Sequence, residues 1–184
     1  MSSGEARAII GPIPEGRDAQ IYDAQRRRLL WKMPSGLYLL GAMSEGRRNL
    51  MTLNWAMQVA QSPKLIGVAV ECDAVTNQLI AISGLFTLSI LHRDDRAVVR
   101  KFVRPAEDDR TTMTLSGIAY RDAPTTGLPV LASAIGYLEC RVTERLDLGS
   151  HTLYIGEIVD LDGSNEGEEM TVLSMGDTRM NYGG

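Results

Sequence analysis

The chain has 184 residues, 44% of them hydrophobic and 23% charged, which is enough for one well-cored domain and too few for two of ordinary size. This near-average composition excludes a disordered or fibrous protein. A net charge of -4 and a pI near 5.2 exclude the broad basic face that displaces counterions from nucleic-acid phosphates.

Residues 2–18 mix glycine, proline and charge with little periodicity and predict an extended N-terminal arm, 1–18, ahead of one domain, 19–184. Met1 to Arg7 holds no apolar core of signal-peptide length, and no apolar run approaches a membrane span. A cytoplasmic location, away from membranes, is therefore expected. Asp18 reads as a helix cap, and Ala19 to Trp31 as a helix that must end before Pro34, with Arg26-Arg27-Arg28 on its solvated face.

Gly36 to Met43 is a continuous apolar run of strand length between turn residues. Further strands are expected over Leu50–Val59, Leu65–Val70, Leu85–Leu91, Ala134–Leu146 and His151–Leu161. Between them, Asp73 or Thr76 is positioned to cap a short helix through Ile82 that stops at Gly84, and Asp94 or Asp95 to cap another through Phe102. Arg104 to Pro129, rich in Pro, Gly, Asp and Thr, predicts a long excursion of the kind that is functional or packs on a partner subunit. Many strands with few short helices predict a mainly β fold, an antiparallel barrel with helices packed outside.

The chemistry is constrained by what is scarce. Only His92 and His151 are present, no Gly-x-Ser-x-Gly elbow or His-Glu-x-x-His occurs, and no Gly-x-Gly-x-x-Gly follows a strand. Cys72 and Cys140 lack the spacing of a zinc or dithiol motif and are expected to be buried thiols in a reducing compartment, so no metal is expected. An enzyme whose cofactor supplies the reactivity fits this poverty better than a hydrolase or a metalloenzyme.

Four stretches supply more: Gly46-Arg-Arg-Asn-Leu-Met-Thr-Leu-Asn-Trp55, Gln61 to Val70, Thr76 to Phe86, and Gly149-Ser150-His151 to Asp160. In this order they resemble the flavin reductase-like, FMN-binding split-barrel family, over the chain from about Trp31 onward. The resemblance implies an antiparallel split β-barrel and a flavin lying along Asn49, Met51, Thr52, Leu53, Asn54 and Trp55. A purely structural reading of that stretch instead has Thr52 and Asn54 facing solvent, with Leu53 and Trp55 in the core.

The same resemblance puts the flavin phosphate at the helix start near Thr76, where free N–H groups and the helix dipole favour an anion. Glu71 and Asp73 depart from the family there by adding negative charge. Ser83 and Gly84, in the Ser-Gly-Leu-Phe turn, and the basic pair Arg100 and Lys101 complete the implied cofactor contacts, with Phe86 in the core. His151 matches a histidine beside the nicotinamide or flavin and is the implied catalytic residue; Tyr182, in the Tyr-Gly-Gly tail, folds back toward the cofactor or a dimer mate in part of the family.

The function so implied is an NAD(P)H-dependent reductase of FMN or FAD, a homodimer, passing reduced flavin to a monooxygenase or another acceptor, with NADH or NADPH as reductant. A flavoredoxin-type electron carrier is the alternative. A third reading is a split-barrel binding module without flavin, to which Glu71 and Asp73 would point.

Overall fold

The computed structural model describes residues 9–163 and 171–178. The chain divides into a first unit, whose described residues are 9–34, and a second, Ser35–Thr178. The first unit holds helix α1 (Ala19–Leu30), and Asp18 caps it as expected, its side chain accepting the Ile21 N–H at 2.9 Å. Within this unit Asp23 pairs with Arg26 at 2.5 Å and with Arg27 at 3.3 Å, while Arg26 also donates to the Pro12 carbonyl. Part of the basic run is thus an ion-paired face that ties down residues 10–12.

The second unit is built on one seven-stranded antiparallel sheet. Its strands are β1 (Tyr38–Ser44), β2 (Arg47–Leu53), β3 (Ala56–Gln61), β4 (Lys64–Glu71), β5 (Leu85–Ile90), β10 (Gly136–Asp147) and β11 (His151–Gly163). They lie in the order β2-β1-β5-β10-β11-β4-β3, so β2 and β3 are the two edges. The expected strand Leu50–Val59 is in fact two strands. Asn54 and Trp55 interrupt it, which lets β2 pair with β1 and β3 with β4 at the opposite edge.

Helix α2 (Val75–Ser83) packs its Leu79 and Ile80 into a core with Leu40, Leu53, Val68, Val70, Phe86, Leu88 and Tyr154. Its cap corrects the expectation. Ala74 occupies the N-cap, with no side-chain hydrogen bond to the first turn, because the Thr76 hydroxyl is turned to Asn49 and Asp73 lies one residue too early. Gly84 ends the helix in the left-handed region at φ 67°, as its residue type allows. The helix expected from Arg96 is a 3-10 helix, Arg93–Phe102, capped by His92, whose Nδ1 accepts the Asp94 N–H at 3.2 Å.

Arg104–Pro129 is not an open excursion. It folds into most of a second antiparallel sheet, β6 (Asp108–Asp109), β7 (Thr114–Leu115), β8 (Ile118–Asp122) and β9 (Pro129–Leu131). That sheet docks on the first through Thr87, which donates to the Pro129 carbonyl at 2.7 Å, and through the Leu131 N–H, which donates to Ser89 at 3.1 Å. Buried Leu115, Tyr120, Ala123 and Leu128 supply the apolar content that the Pro- and Thr-rich composition masked. A terminal strap, residues 171–178, lies against the ends of β1 and β5 through Leu37 and Leu91, and Arg93 binds Asp177 at 2.6 Å.

Candidate functional site

Three strand ends and one helix start converge at one end of the large sheet. The Ala69 N–H on β4 donates to the Trp55 carbonyl at 3.0 Å, His151 at the start of β11 stands opposite Glu71 at the end of β4, and the Cys72 N–H donates to the Ser150 carbonyl at 3.0 Å. Asn77 then pins α2 to the same place: its Nδ2 donates to the carbonyls of Val70 at 3.2 Å and Glu71 at 3.1 Å. The Tyr154 hydroxyl donates to Asn77 Oδ1 at 2.8 Å, and burial raises the phenol above its ordinary range, so it holds that proton.

Beneath the helix start, Asn49 on β2 is buried and engaged at both ends of its carboxamide. Its Nδ2 donates to Thr76 Oγ1 and its Oδ1 accepts the Ala106 N–H, each at 2.8 Å. Thr52, also buried, donates to the Val99 carbonyl at 2.6 Å. Leu53 is core and Met51 packs half-buried against it. Asn49 and Thr52 are therefore braces that hold the segment from Val99 to Ala106 against β2, and that segment carries the exposed Arg100 and Lys101.

Other groups near β2 are unpaired: it is an edge strand, and among the described residues its outward backbone groups from Asn49 to Leu53 pair with no other strand, although Asn49, Leu50, Thr52 and Leu53 are themselves buried. Asn54 is half-buried with no hydrogen-bond partner among the described residues. Trp55 is 43% exposed, not core, and its indole lies on the His151 imidazole with centroids 4.6 Å apart at 48°. His151 Nδ1 is engaged by Ser150 Oγ at 2.9 Å.

The geometry fits a flavin. An unpaired strand edge offers the N–H and C=O groups that a ring with alternating N and O acceptors requires, and α2, uncapped at Ala74, offers first-turn N–H groups to a phosphate. Thr76 brings its backbone to that turn, while its side chain is spent on Asn49.

Ser83 and Gly84 lie elsewhere. They end α2, about 12 Å along the helix from its start, and the Ser83 hydroxyl donates to the Leu79 carbonyl at 2.8 Å. Tyr182 lies outside the described residues. Arg104 was not among the residues picked out from the sequence, yet it is exposed between the basic pair and Ala106; its spacing of three from Lys101 was the available signal. Cys72 corrects another expectation, being exposed with its Sγ 3.2 Å from the Gly149 carbonyl, whereas Cys140 is buried and its thiol is pushed up to about 12. No group of three or more metal-ligating side chains occurs among the described residues.

Comparison with known proteins bears on the family and the fold. The model of the family described as "Flavin reductase like domain" matches residues 30–183. The ferric-chelate reductase (NAD(P)H) of Archaeoglobus fulgidus is 27% identical over 144 residues, covering 77% of this chain and 83% of that protein. Diflavin flavoprotein A 1 of Synechocystis is 26% identical over 141 residues, 75% of this chain; the chain spans only 24% of that longer protein. Among solved structures, the NADH:FAD oxidoreductase of Streptomyces globisporus C-1027 superposes with a TM-score of 0.70 at 26% identity, covering 91% of each chain.

Proposed function

The chain belongs to the flavin reductase-like family, and on that premise we propose that it is an NAD(P)H:flavin oxidoreductase that binds FMN, or FAD, at the unpaired edge of β2. The observation that carries this reading is the pairing of that edge with the uncapped start of α2, a ring site and an anion site on adjoining elements. When bound, the flavin supplies the chemistry by accepting a hydride from the nicotinamide and giving up electrons afterwards.

The protein's part is to bind and orient. Backbone groups along Asn49 to Asn54 would hold the ring's polar edge, and Asn49 and Thr52 keep the strand and its neighbours fixed. The first-turn N–H groups of α2 take the phosphate, aided by the positive charge of Arg100, Lys101 and Arg104. His151 places a hydrogen-bonding imidazole at the mouth of the site, beside the position the nicotinamide enters.

The working unit is a homodimer. Edge strand β3 exposes Met57 at 64% and Val59 at 44%, and Val59 lies over Gly67 beside Ile155 and Leu153, an outward apolar face that favours cover by a second copy. Electrons leave to a separate acceptor, a monooxygenase taking up reduced flavin being one class. No described helix is long and apolar enough to cross a membrane, and two free thiols suit the reducing cytoplasm in which we place the protein.

The test is oxidation of NADH and of NADPH with and without FMN or FAD. Flavin-dependent turnover above the free-flavin background supports the reading and names both substrates. Bound flavin without turnover would replace it with an electron carrier fed by a protein reductant.

A further inference from the structure

His92 has no part in the candidate site, yet it joins two elements that meet nowhere else among the described residues. Its ring caps the 3-10 helix Arg93–Phe102, Nδ1 accepting the Asp94 N–H at 3.2 Å. Its main chain forms a bridge with Val172 of the terminal strap. On either side of that bridge the Arg93 N–H donates to the Thr171 carbonyl at 2.8 Å and the Leu173 N–H to the Leu91 carbonyl at 2.9 Å. The imidazole is 40% exposed, so protons reach it, and Asp94 Oδ2 lies 3.4 Å from the same Nδ1.

A histidine cap differs from the common ones in one respect. Ser, Thr and Asn keep an acceptor at every pH, whereas an imidazole accepts at Nδ1 only while neutral, with its proton on Nε2. Once protonated, both ring nitrogens donate. Protonation therefore sets Nδ1–H against the Asp94 N–H and offers the ring a new partner in the Asp94 carboxylate.

We propose that His92 is a pH-sensitive clasp, which in its neutral form fastens the start of the 3-10 helix and the terminal strap together and on protonation releases both. Among the described residues the charged groups around it are Asp94, Asp95 and the Arg93–Asp177 pair that reaches the strap. Burial raises the Asp95 carboxyl above its ordinary value, a shift that the His92 N–H and the ring's charge oppose. Hydrogen bonds from Ser174 first, and then Arg93, hold Asp177 below its ordinary value, so that pair stays charged while the ring titrates. The far end of the helix is fixed separately, its Val99 carbonyl accepting the Thr52 hydroxyl at 2.6 Å. Release is thus confined to the His92 end and the strap, and it does not depend on which cofactor the protein holds.

The experiment follows amide-exchange protection by NMR on the full chain from about pH 8 to about pH 5, beside the His92 ring signal. The wild type is compared with His92→Asn, whose carboxamide oxygen caps without titrating, and with His92→Phe, which has no acceptor. Protection of the Asp94, Arg93 and Leu173 amides is expected to fall about tenfold or more in the wild type, with the midpoint of the ring. His92→Asn should keep its protection across the range, and His92→Phe should lack it throughout. Asp95 and His151 remain in every variant, so a loss that persisted in His92→Asn would belong to one of them and overturn the clasp. Protection that stayed constant while the ring titrated would overturn it as well, and a loss at Asp94 alone would remove the strap from it.

Discussion

Asn49 and Thr76 meet through a 2.8 Å hydrogen bond from Nδ2 to Oγ1 between residues 27 apart in sequence, and the same Asn49 side chain accepts the Ala106 N–H. One buried carboxamide thus fixes an edge strand, a helix start and the end of the basic segment together. Asn49→Ala leaves a buried hydroxyl and a half-buried N–H unpaired, an expected cost of about 2–4 kcal/mol in urea unfolding. Flavin affinity should fall as well, since the helix start and the end of the basic segment at Ala106 lose their common anchor. Unchanged stability would show that neither bond contributes.

Gly41 marks where the two sheets touch. A Cβ there would collide with the Pro129 carbonyl and with Thr87 Oγ1, and the carbonyl belongs to backbone that has no rotamer to yield. Gly41→Ala is expected to cost about 3 kcal/mol or more, read as a lowered Tm. Gly84→Ala meets open space and is strained only by its positive φ, so it should cost about 1 kcal/mol.

Much of this fold was legible because its signals are local. The run from Gly36 to Met43, the β-branched residues of β11, Asp18 as a cap and Gly84 as a stop each act within a few residues, and each is in place. The rest depends on partners distant in sequence. Nothing near Asn54 announces that β2 and β3 run to opposite edges of the sheet, and the hairpins of Arg104–Pro129 are held by Thr87 and Ser89, which sit on another strand. At the candidate site the Asn49–Trp55 run stood out, but which of its residues brace the fold was decided by Thr76, Val99 and Ala106, and no spacing within the run encodes them.

Asp177 anchors the terminal strap, with Ser174 and Arg93 bound to its carboxylate. Hydrogen bonds from Ser174 first, and then Arg93, hold its carboxyl below the ordinary value of 3.8. A depressed folded pKa contributes stability above the unfolded value and loses it as pH falls through the folded one. The Tm difference between wild type and Asp177→Asn should therefore be constant at neutral pH and shrink toward zero below about pH 4. A difference that grew with acidification would refute this anchor.

Met57 supplies the proposed dimer's test. It is exposed on an edge strand, so Met57→Glu costs the isolated fold little and places a charge in the apolar face. Sedimentation is expected to show a dimer for the wild type and a monomer for the variant, with an unaltered far-UV spectrum. A monomeric wild type would dismiss the dimer, and a dimeric variant would move its interface elsewhere.

Glu71 and Asp73 act on the two ligands in opposite senses. Both are exposed just before α2, whose N-terminus is proposed to hold the flavin phosphate, and Glu71 also faces His151 across the β4–β11 pair. Neutralising both, in Glu71→Gln with Asp73→Asn, removes repulsion from the phosphate and removes attraction for the pyridinium. FMN affinity should rise about threefold to tenfold at low salt, and the gain should fade as salt screens it. NAD+ affinity should fall in the same protein, while riboflavin, which lacks the phosphate, should bind as before. If FMN and riboflavin responded alike, the two carboxylates would be acting on the ring and the phosphate would lie away from the start of α2.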